Sequence, residues 1–371
     1  MSDAPDLAPT AGASSAAGPA TSSAVRPVTS SAVRPVTSSA VRRVTSSAVR
    51  PVTGEAFSHA TSKPDACSVL SEAADASAYG TAAGATFWLA LEQDGPWGRQ
   101  AATESHLDLV LGGALDLACA ERGGRLILIR RPGEHPDSHG LTRHRCYLAW
   151  AGRDPFLLTA EIASPEELIG LDLEALSRGD RDGVSASLPL LEPADPVLLV
   201  CTNGRRDVCC AVRGRPHAAG DHTAYPGRVW ECSHTGGHRY APTGVLLPWG
   251  RALGRLDDPA ARTLLDAADD GRLPPGLLGR RHDRGASALS PGEQAAESAV
   301  RAAIAETRLT ALTAATSGEA GTVVVEHGDG RQWLVEVECC EGSPRPESCG
   351  KAPVASWTWS TTIHDAAARR C

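Results

Sequence analysis

The amino-acid sequence predicts an α/β protein, and three observations lead to that class. An apolar strand, a helix and a second apolar strand follow one another between residues 86 and 130. A second alternation of apolar strands with Gly-rich polar segments begins near residue 195, and a helix followed by short strands closes the chain. This order is typical of a parallel sheet covered by helices, with a smaller antiparallel sheet beyond it.

The first alternating region is predicted from its apolar runs. TFWLALE (86–92) and RLILIR (125–130) have the character of buried strands, and HLDLVLGGALDLACAERGG (106–124) has that of a helix ending in Gly. A strand, a helix and a strand in this order form a βαβ crossover, in which the two strands run parallel in one sheet. RHRCYLAW (143–150) is predicted to add a third strand.

The second alternating region contains three further predicted strands. They are DPVLLVC (195–201), RVWEC (228–232) and GVLLPWG (244–250). Gly and Pro crowd the segments between them, and these residues favour turns. The clustered Cys and His residues of these segments are therefore expected on loops.

Two helices are predicted after residue 250. DDPAARTLLDAADDG (257–271) has the pattern of a capped helix. In SPGEQAAESAVRAAIAETRL, Ser290 is the expected N-cap, Pro291 takes the first helical position and Glu293 completes a capping box.

The C-terminal strands are predicted to form a small antiparallel sheet. GTVVVEHG and RQWLVEVEC are joined by a Gly-Asp-Gly turn, and SWTWSTTIH follows them. Cys339 and Cys340 are expected at the end of one of these strands.

The N-terminal segment has a different character from the rest of the chain. Residues 21–53 repeat the octad TSSAVRPV, with TSSAVRRV once, and these octads contain too little apolar bulk to form a core. We therefore expect a disordered tail. The predicted division of the chain is a tail over 1–60, an N-terminal α/β region over 61–190, a central module over 191–275 and a C-terminal helix with a small sheet over 276–371.

Composition and charge exclude several classes of function. The 371 residues carry 36 Lys and Arg against 44 Asp and Glu, a net charge of −8. Residues 1–53 contain five Arg and two Asp, so the remainder carries −11. An acidic body argues against nucleic acid or an anionic membrane as a partner. The sequence contains neither a run of eighteen apolar residues nor a secretory signal, so a cytoplasmic location is expected.

Eleven cysteines are too few for a disulfide scaffold of this length, and in a reducing compartment clustered Cys indicates metal or redox chemistry. Three cysteines are isolated in the sequence: Cys67, Cys119 and Cys146. Four fall within one short stretch: Cys201, Cys209, Cys210 and Cys232. The four near the C terminus, Cys339, Cys340, Cys349 and Cys371, have no His partner and no C-x2-C pair, so we do not expect them to form a metal site.

The segments CTNGRRDVCC (201–210) and WECSHTGGHRYAP (230–242) provide two thiols and two imidazoles. Four such ligands suit a tetrahedral zinc ion or the two irons of a 2Fe–2S cluster. The spacings C-x8-C and H-x3-H are not those of a zinc finger. Gly236 and Gly237 between the two histidines argue against a helix, and they would let a loop wrap closely around a bulky group.

These two segments resemble the sucrase/ferredoxin-like family. The resemblance lies in a Cys, an Arg-Asp pair and a second Cys nine positions after the first, followed by Trp, Ser-His-x-Gly-Gly-His and an aromatic-Ala pair. Weaker similarity covers most of residues 85–300. The resemblance implies a thioredoxin-like ferredoxin module that holds one 2Fe–2S cluster, with these ligands: Cys201, Cys210, His234 and His238.

The resemblance further implies an electron carrier or redox sensor whose donor and acceptor are unidentified proteins. Five neighbouring residues are expected to support the cluster: Arg206, Asp207, Ser233, Gly236 and Gly237. Cationic and backbone donors near a cluster stabilise its reduced, more negative state. Glycosidase activity is not expected, because no acidic pair with suitable spacing is evident.

Two alternatives remain open from the residues themselves. A thioredoxin-like thiol oxidoreductase would use Cys209 and Cys210 as nucleophiles, although a C-x-x-C motif is missing. A structural zinc protein would use the same four ligands without redox chemistry. The adjacent Cys209 and Cys210 also leave open which of the two is the ligand, and the family spacing favours Cys210.

Overall fold

A ten-stranded mixed sheet is the centre of the computed structural model, which describes residues 63–133 and 140–365. The expected disordered tail and its octad repeats lie outside these residues. The strand order is β10-β9-β8-β6-β7-β2-β1-β3-β4-β5. The strands are β1 (Phe87–Glu92), β2 (Arg125–Arg130), β3 (His144–Trp150), β4 (Phe156–Ile162), β5 (Glu192–Pro193), β6 (Val197–Cys201), β7 (Val229–Cys232), β8 (Gly244–Leu247), β9 (Arg251–Leu253) and β10 (Asp283–Ala286).

Seven α-helices occur among the described residues. They are α1 (Cys67–Ala73), α2 (Leu109–Glu121), α3 (Leu173–Ser177), α4 (Arg181–Ser187), α5 (Val208–Ala224), α6 (Leu264–Asp269) and α7 (Pro291–Ala303). None of these helices is long and apolar enough to cross a bilayer. The mixed α/β class predicted from the sequence is confirmed.

The large sheet consists of two similar halves. In the first half, α2 connects the parallel strands β1 and β2, β3 pairs antiparallel with β1, and β4 pairs antiparallel with β3. In the second half, α5 connects the parallel strands β6 and β7, β8 pairs antiparallel with β6, and β9 pairs antiparallel with β8. The halves join through the antiparallel pairing of β2 with β7. The sheet therefore runs without a break across the predicted boundary at residue 190.

The segment after β6 differs from the prediction. The sequence predicts a loop here, but residues 208–224 form α5, and both Cys209 and Cys210 lie in its first turn. The side chain of Asp207 caps this helix by accepting a hydrogen bond from the Cys209 N–H. Gly214 faces the sheet, where a Cβ atom would overlap the carbonyl oxygen of Cys201. The glycine thus permits close packing of the helix on the strand and does not mark a turn.

The C-terminal region contains α7 and a second sheet of order β11-β12-β13-β14. The strands are β11 (Leu312–Thr316), β12 (Thr322–His327), β13 (Gln332–Pro346) and β14 (Pro353–Asp365). The predicted capping box is confirmed, since Glu293 accepts a hydrogen bond from the Ser290 N–H at 2.9 Å.

One detail of the C-terminal prediction is wrong. Cys339 and Cys340 lie in the interior of β13 and not at its end, because this strand continues its pairing with β14 as far as Pro346. The two long strands form a hairpin whose connection carries Cys349.

An apolar core covers one face of the large sheet across both halves. It contains Trp88 and Ile127 from the first half and Val245 from the second. Cys201 and Cys210 belong to the same core. Two of the candidate ligands are thus part of the apolar core.

Candidate metal centre

The four predicted ligands come from elements that meet at one edge of the sheet. Cys201 is the last residue of β6, and its partner in the parallel strand β7 is Cys232. Because the carboxyl ends of parallel strands lie side by side, the segment after Cys232 emerges next to Cys201. That segment carries His234 and His238, and α5 begins from the segment that follows Cys201.

The structure places Cys201 next to Cys210 and His234, and it places His238 next to His234. The Sγ atom of Cys201 lies 3.9 Å from Nδ1 of His234, and the thiol of Cys210 forms a hydrogen bond with Cys201. The rings of His234 and His238 are stacked with their centroids 6.3 Å apart. Cys201 and Cys210 are fully buried, with 0% and 1% of their surface exposed.

The two thiols of this group differ in acidity. The hydrogen bond from Cys210 and the contact with His234 outweigh burial and hold the pKa of Cys201 well below its usual range. The hydrogen bond to Cys201 and burial raise the pKa of Cys210 well above its usual range. Cys201 is therefore the thiol that ionises first.

His238 faces a second set of groups. Its Nδ1 atom lies 3.3 Å from Oδ2 of Asp207 and 3.7 Å from Sγ of Cys67. Burial lowers the pKa of His238, so the neutral imidazole is favoured. Burial alone would raise the pKa of Asp207, but hydrogen bonds from Ser348 and from the N–H groups of Cys349 and Cys209 lower it to about 2.

The remaining predicted supporting residues have distinct positions. Ser233 places its carbonyl oxygen 3.9 Å from Sγ of Cys201, and its hydroxyl accepts a hydrogen bond from the Leu128 N–H. Gly236 and Gly237 both have left-handed backbone conformations, with φ of 77° and 69°. Arg206 is half-buried, and its N–H donates to the side-chain oxygen of Asn203.

Two arginines next to the His loop, the buried Arg284 and the half-buried Arg125, were not predicted from the sequence. Arg284 donates to the carbonyl oxygen of Gly236 at 3.1 Å and to the hydroxyl of Thr81 at 3.1 Å, and burial lowers its pKa to about 10. Arg125 donates to the carbonyl oxygen of His234 at 3.2 Å. Among the described residues, neither guanidinium is in an ion pair with a carboxylate. Nothing in the local sequence pattern of either arginine distinguishes it from a surface cation.

Cys209 faces away from Cys210 toward thiols that are distant in the sequence. Its Sγ atom lies 3.6 Å from that of Cys67 and 3.0 Å from that of Cys349. The hydrogen bonds from Cys67 and Ser68 lower the pKa of Cys209 to about 6. Cys67 is isolated in the sequence and Cys349 belongs to the C-terminal cysteines. The sequence therefore does not predict that Cys67, Cys209 and Cys349 form a second cluster.

Comparisons with known proteins agree with the motif. A family model described as sucrase/ferredoxin-like matches residues 78–278, more than half of the chain. The match includes all four predicted ligands and extends over both halves of the large sheet. Searches of curated proteins and of solved structures found no match. Because the family model matches more than half of its residues, this chain belongs to the sucrase/ferredoxin-like family.

Proposed function

We propose that this protein binds one 2Fe–2S cluster through Cys201, Cys210, His234 and His238 and carries single electrons or senses redox state. The observation that carries the proposal is the proximity of two buried thiols and two imidazoles to two arginines. The thiol of Cys201 lies 3.9 Å from His234, and Arg125 and Arg284 bind the backbone of the same His loop.

The donor set fits the proposed group. Thiolates and neutral imidazoles are the ligands of mixed Cys/His 2Fe–2S clusters. The low pKa of Cys201 favours a thiolate, and the low pKa of His238 favours a neutral ring. When bound, the cluster would supply a site for one electron.

The two arginines give the proposal an electrostatic argument. A buried cation without a carboxylate partner is costly, because the low-dielectric interior does not replace its hydration. A cluster that gains one negative charge on reduction would be a counterion for the buried Arg284, whereas the half-buried Arg125 already lies within the field of the Asp116 carboxylate. These cations would stabilise the reduced form and raise the potential, in addition to the effect of imidazole ligation.

The proposed module fold is thioredoxin-like. Its support is the topology of the second half, where a βαβ unit of β6, α5 and β7 is extended beside β6 by the antiparallel strands β8 and β9. The first half has the same order. We propose that two thioredoxin-like units form the sheet and that the second one carries the ligands.

The physiological role that fits this arrangement is electron transfer with partner proteins. The proposed ligand His238 keeps 19% of its side chain exposed, whereas Cys201 is completely buried. The imidazole side of the group is thus nearest to solvent. A donor or acceptor protein would approach from that side.

Thiol oxidoreductase chemistry at Cys209 and Cys210 has less support. The two side chains turn to different partners, Cys201 for one and Cys67 with Cys349 for the other. The low pKa of Cys209 favours a nucleophile, but only 1% of this residue is exposed. A substrate disulfide would have little access to it.

The test is the visible spectrum with iron and sulfide analysis of protein purified without oxygen. We expect charge-transfer bands and about two irons and two sulfides per chain. The vicinal cysteines provide a matched pair: Cys210→Ser should lose iron, whereas Cys209→Ser should keep it. A colourless wild-type protein, or normal iron after both histidines are replaced by Ala, would contradict the proposal.

A further inference from the structure

A second group of metal-binding side chains lies next to the proposed cluster ligands. It consists of three thiols and a carboxylate, all within 4.8 Å of one another: Cys67, Asp207, Cys209 and Cys349. Cys67 opens α1, Cys209 lies in the first turn of α5, and Cys349 lies in the connection between β13 and β14. Three separate parts of the fold thus meet at one point.

The distances within this group resemble those of a tetrahedral thiolate site. A zinc–sulfur bond of about 2.3 Å places two sulfurs of a tetrahedron about 3.8 Å apart. The Sγ atom of Cys67 lies 3.6 Å from Cys209 and 3.7 Å from Cys349. Of the three sulfur–sulfur distances among these thiols, only that between Cys209 and Cys349, 3.0 Å, must increase appreciably when a metal binds.

Asp207 is placed to complete the tetrahedron. Its Oδ1 atom lies 3.8 Å from Sγ of Cys67 and accepts a hydrogen bond from the Cys209 N–H. A carboxylate oxygen can accept a hydrogen bond and still bind a metal with its second lone pair. The Asp207 side chain is completely buried.

Neighbouring donors support thiolates at this position. The hydroxyl of Ser68 donates to Sγ of Cys209 at 3.2 Å, and the N–H of Cys67 donates to Sγ of Cys349 at 3.5 Å. The hydroxyl of Ser348 and the N–H of Cys349 hold Oδ2 of Asp207 at 2.7 and 2.8 Å. Such outer contacts orient the ligands of metal sites and stabilise their charge.

We propose that Cys67, Cys209, Cys349 and Asp207 bind one divalent, thiophilic ion of the zinc class, separate from the proposed iron centre. The three sulfurs bind as thiolates, any proton that they carry is released to solvent, and the ion is neither oxidised nor reduced. Four protein ligands leave no open position, so the site is structural. It ties α1 and the β13–β14 connection to the start of α5, the helix that carries Cys210. This proposal does not rest on the proposed iron–sulfur function.

The experiment is elemental analysis of the full chain after equilibration with Zn²⁺ and removal of loosely held metal. We expect about one zinc per chain in the wild type and at least a tenfold loss in Cys67→Ser and in Cys349→Ser. Cys339→Ser, which changes an exposed thiol on β13, should keep its zinc. Iron and the visible spectrum should be unaffected in all three variants.

X-ray absorption at the zinc edge of the wild type provides a reading that needs no variant. We expect three sulfur neighbours and one lighter neighbour.

Failure to bind zinc, retention of zinc by Cys349→Ser, or loss of iron in place of zinc in Cys67→Ser would overturn the proposal. A Cys209–Cys349 disulfide found by mass spectrometry in protein purified with reductant would overturn it as well. Failure of the iron–sulfur proposal is distinguishable, because it would appear as missing iron with the zinc still present.

Discussion

Nδ1 of His238 lies 3.3 Å from Oδ2 of Asp207, and Asp207 is also the N-cap of the helix that carries Cys210. The carboxylate of Asp207 therefore orients the imidazole of His238 and caps the helix that carries the thiol of Cys210. Both His238 and Cys210 are proposed ligands. With Nδ1 directed at the carboxylate, Nε2 is the ring nitrogen left to face a metal. Carboxylate–histidine contacts of this kind are common around metal-binding imidazoles.

Replacing Asp207 by Asn should weaken iron binding without unfolding the protein. Asn is as good an N-cap as Asp, so the helix start is preserved while the charge is lost. We expect iron to be released to a chelator about 10- to 100-fold more readily. Asp180→Asn is the control, because Asp180 caps α4 in the same way. An unchanged rate of iron release would show that the contact with His238 has no role in binding.

Gly236 and Gly237 provide a matched pair for testing the His loop. Both have positive φ, so an Ala at either position costs on the order of 1 kcal/mol of backbone strain. A Cβ at Gly237 would also overlap the guanidinium of Arg284, whereas at Gly236 its nearest neighbour is Ala83 at 3.7 Å. Gly237→Ala should therefore lower the melting temperature and iron content more than Gly236→Ala. Equal effects in calorimetry and iron analysis would mean that the Arg284 contact is unimportant.

The charge of Arg284 should raise the midpoint potential of the proposed centre. Arg284→Gln removes a positive charge that stabilises the reduced state, so the potential should fall by roughly several tens of millivolts. Arg284→Lys keeps the charge and should retain most of the potential. Redox titration followed by electron paramagnetic resonance measures both variants. Equal decreases in the two would assign the effect to packing and not to charge.

Imidazole ligation should make the midpoint potential depend on pH. A bound imidazole keeps a second N–H, and reduction makes that proton harder to lose. The potential should fall as pH rises above the imidazole pKa of the oxidised form, by up to about 59 mV per pH unit. His234→Cys should lower the potential and remove much of this slope. A potential that stays constant into strongly alkaline solution would rule out imidazole ligands.

A buried ion network away from the centre should control acid stability. Glu297 accepts from Arg251 at 2.6 Å and from Arg301 at 2.5 Å. Burial alone would raise the pKa of Glu297, but the two guanidiniums lower it below its usual value of 4.5. A carboxyl with a lowered folded pKa stabilises the protein above its unfolded pKa, and this contribution is lost as pH falls through the folded value.

Glu297→Gln should therefore cost about 3–5 kcal/mol of unfolding free energy at pH 7, because it leaves buried charges unpaired. The difference in unfolding free energy between this variant and the wild type, measured by urea titration, should become smaller below about pH 4.5. Glu174→Gln is the control, since its pair with Arg178 at 2.9 Å is exposed and should contribute less than about 1 kcal/mol. Equal losses in the two variants would refute this role.

The sequence by itself determined the features that depend on short windows of residues. The apolar runs of β1, β2, β6 and β7 predict strands, because burial of alternating or continuous apolar side chains is a local pattern. The capping box of α7 was predictable for the same reason, since its hydrogen bonds join residues three apart. The proximity of Cys201 to the His segment also follows from sequence, once both are placed at the ends of parallel strands.

Only the tertiary structure decided what long-range packing brings together. Helix α5 was hidden by Gly214 and Pro216, whose turn-forming tendency is overridden by the Asp207 cap and by packing on β6. Cys67 and Cys349 are 282 positions apart, yet their sulfurs lie 3.7 Å from each other. Such contacts depend on the register of two sheets and on helix docking, which no local window of sequence encodes. For that reason, the motif identified one candidate centre from the sequence, whereas the second became visible only in the folded chain.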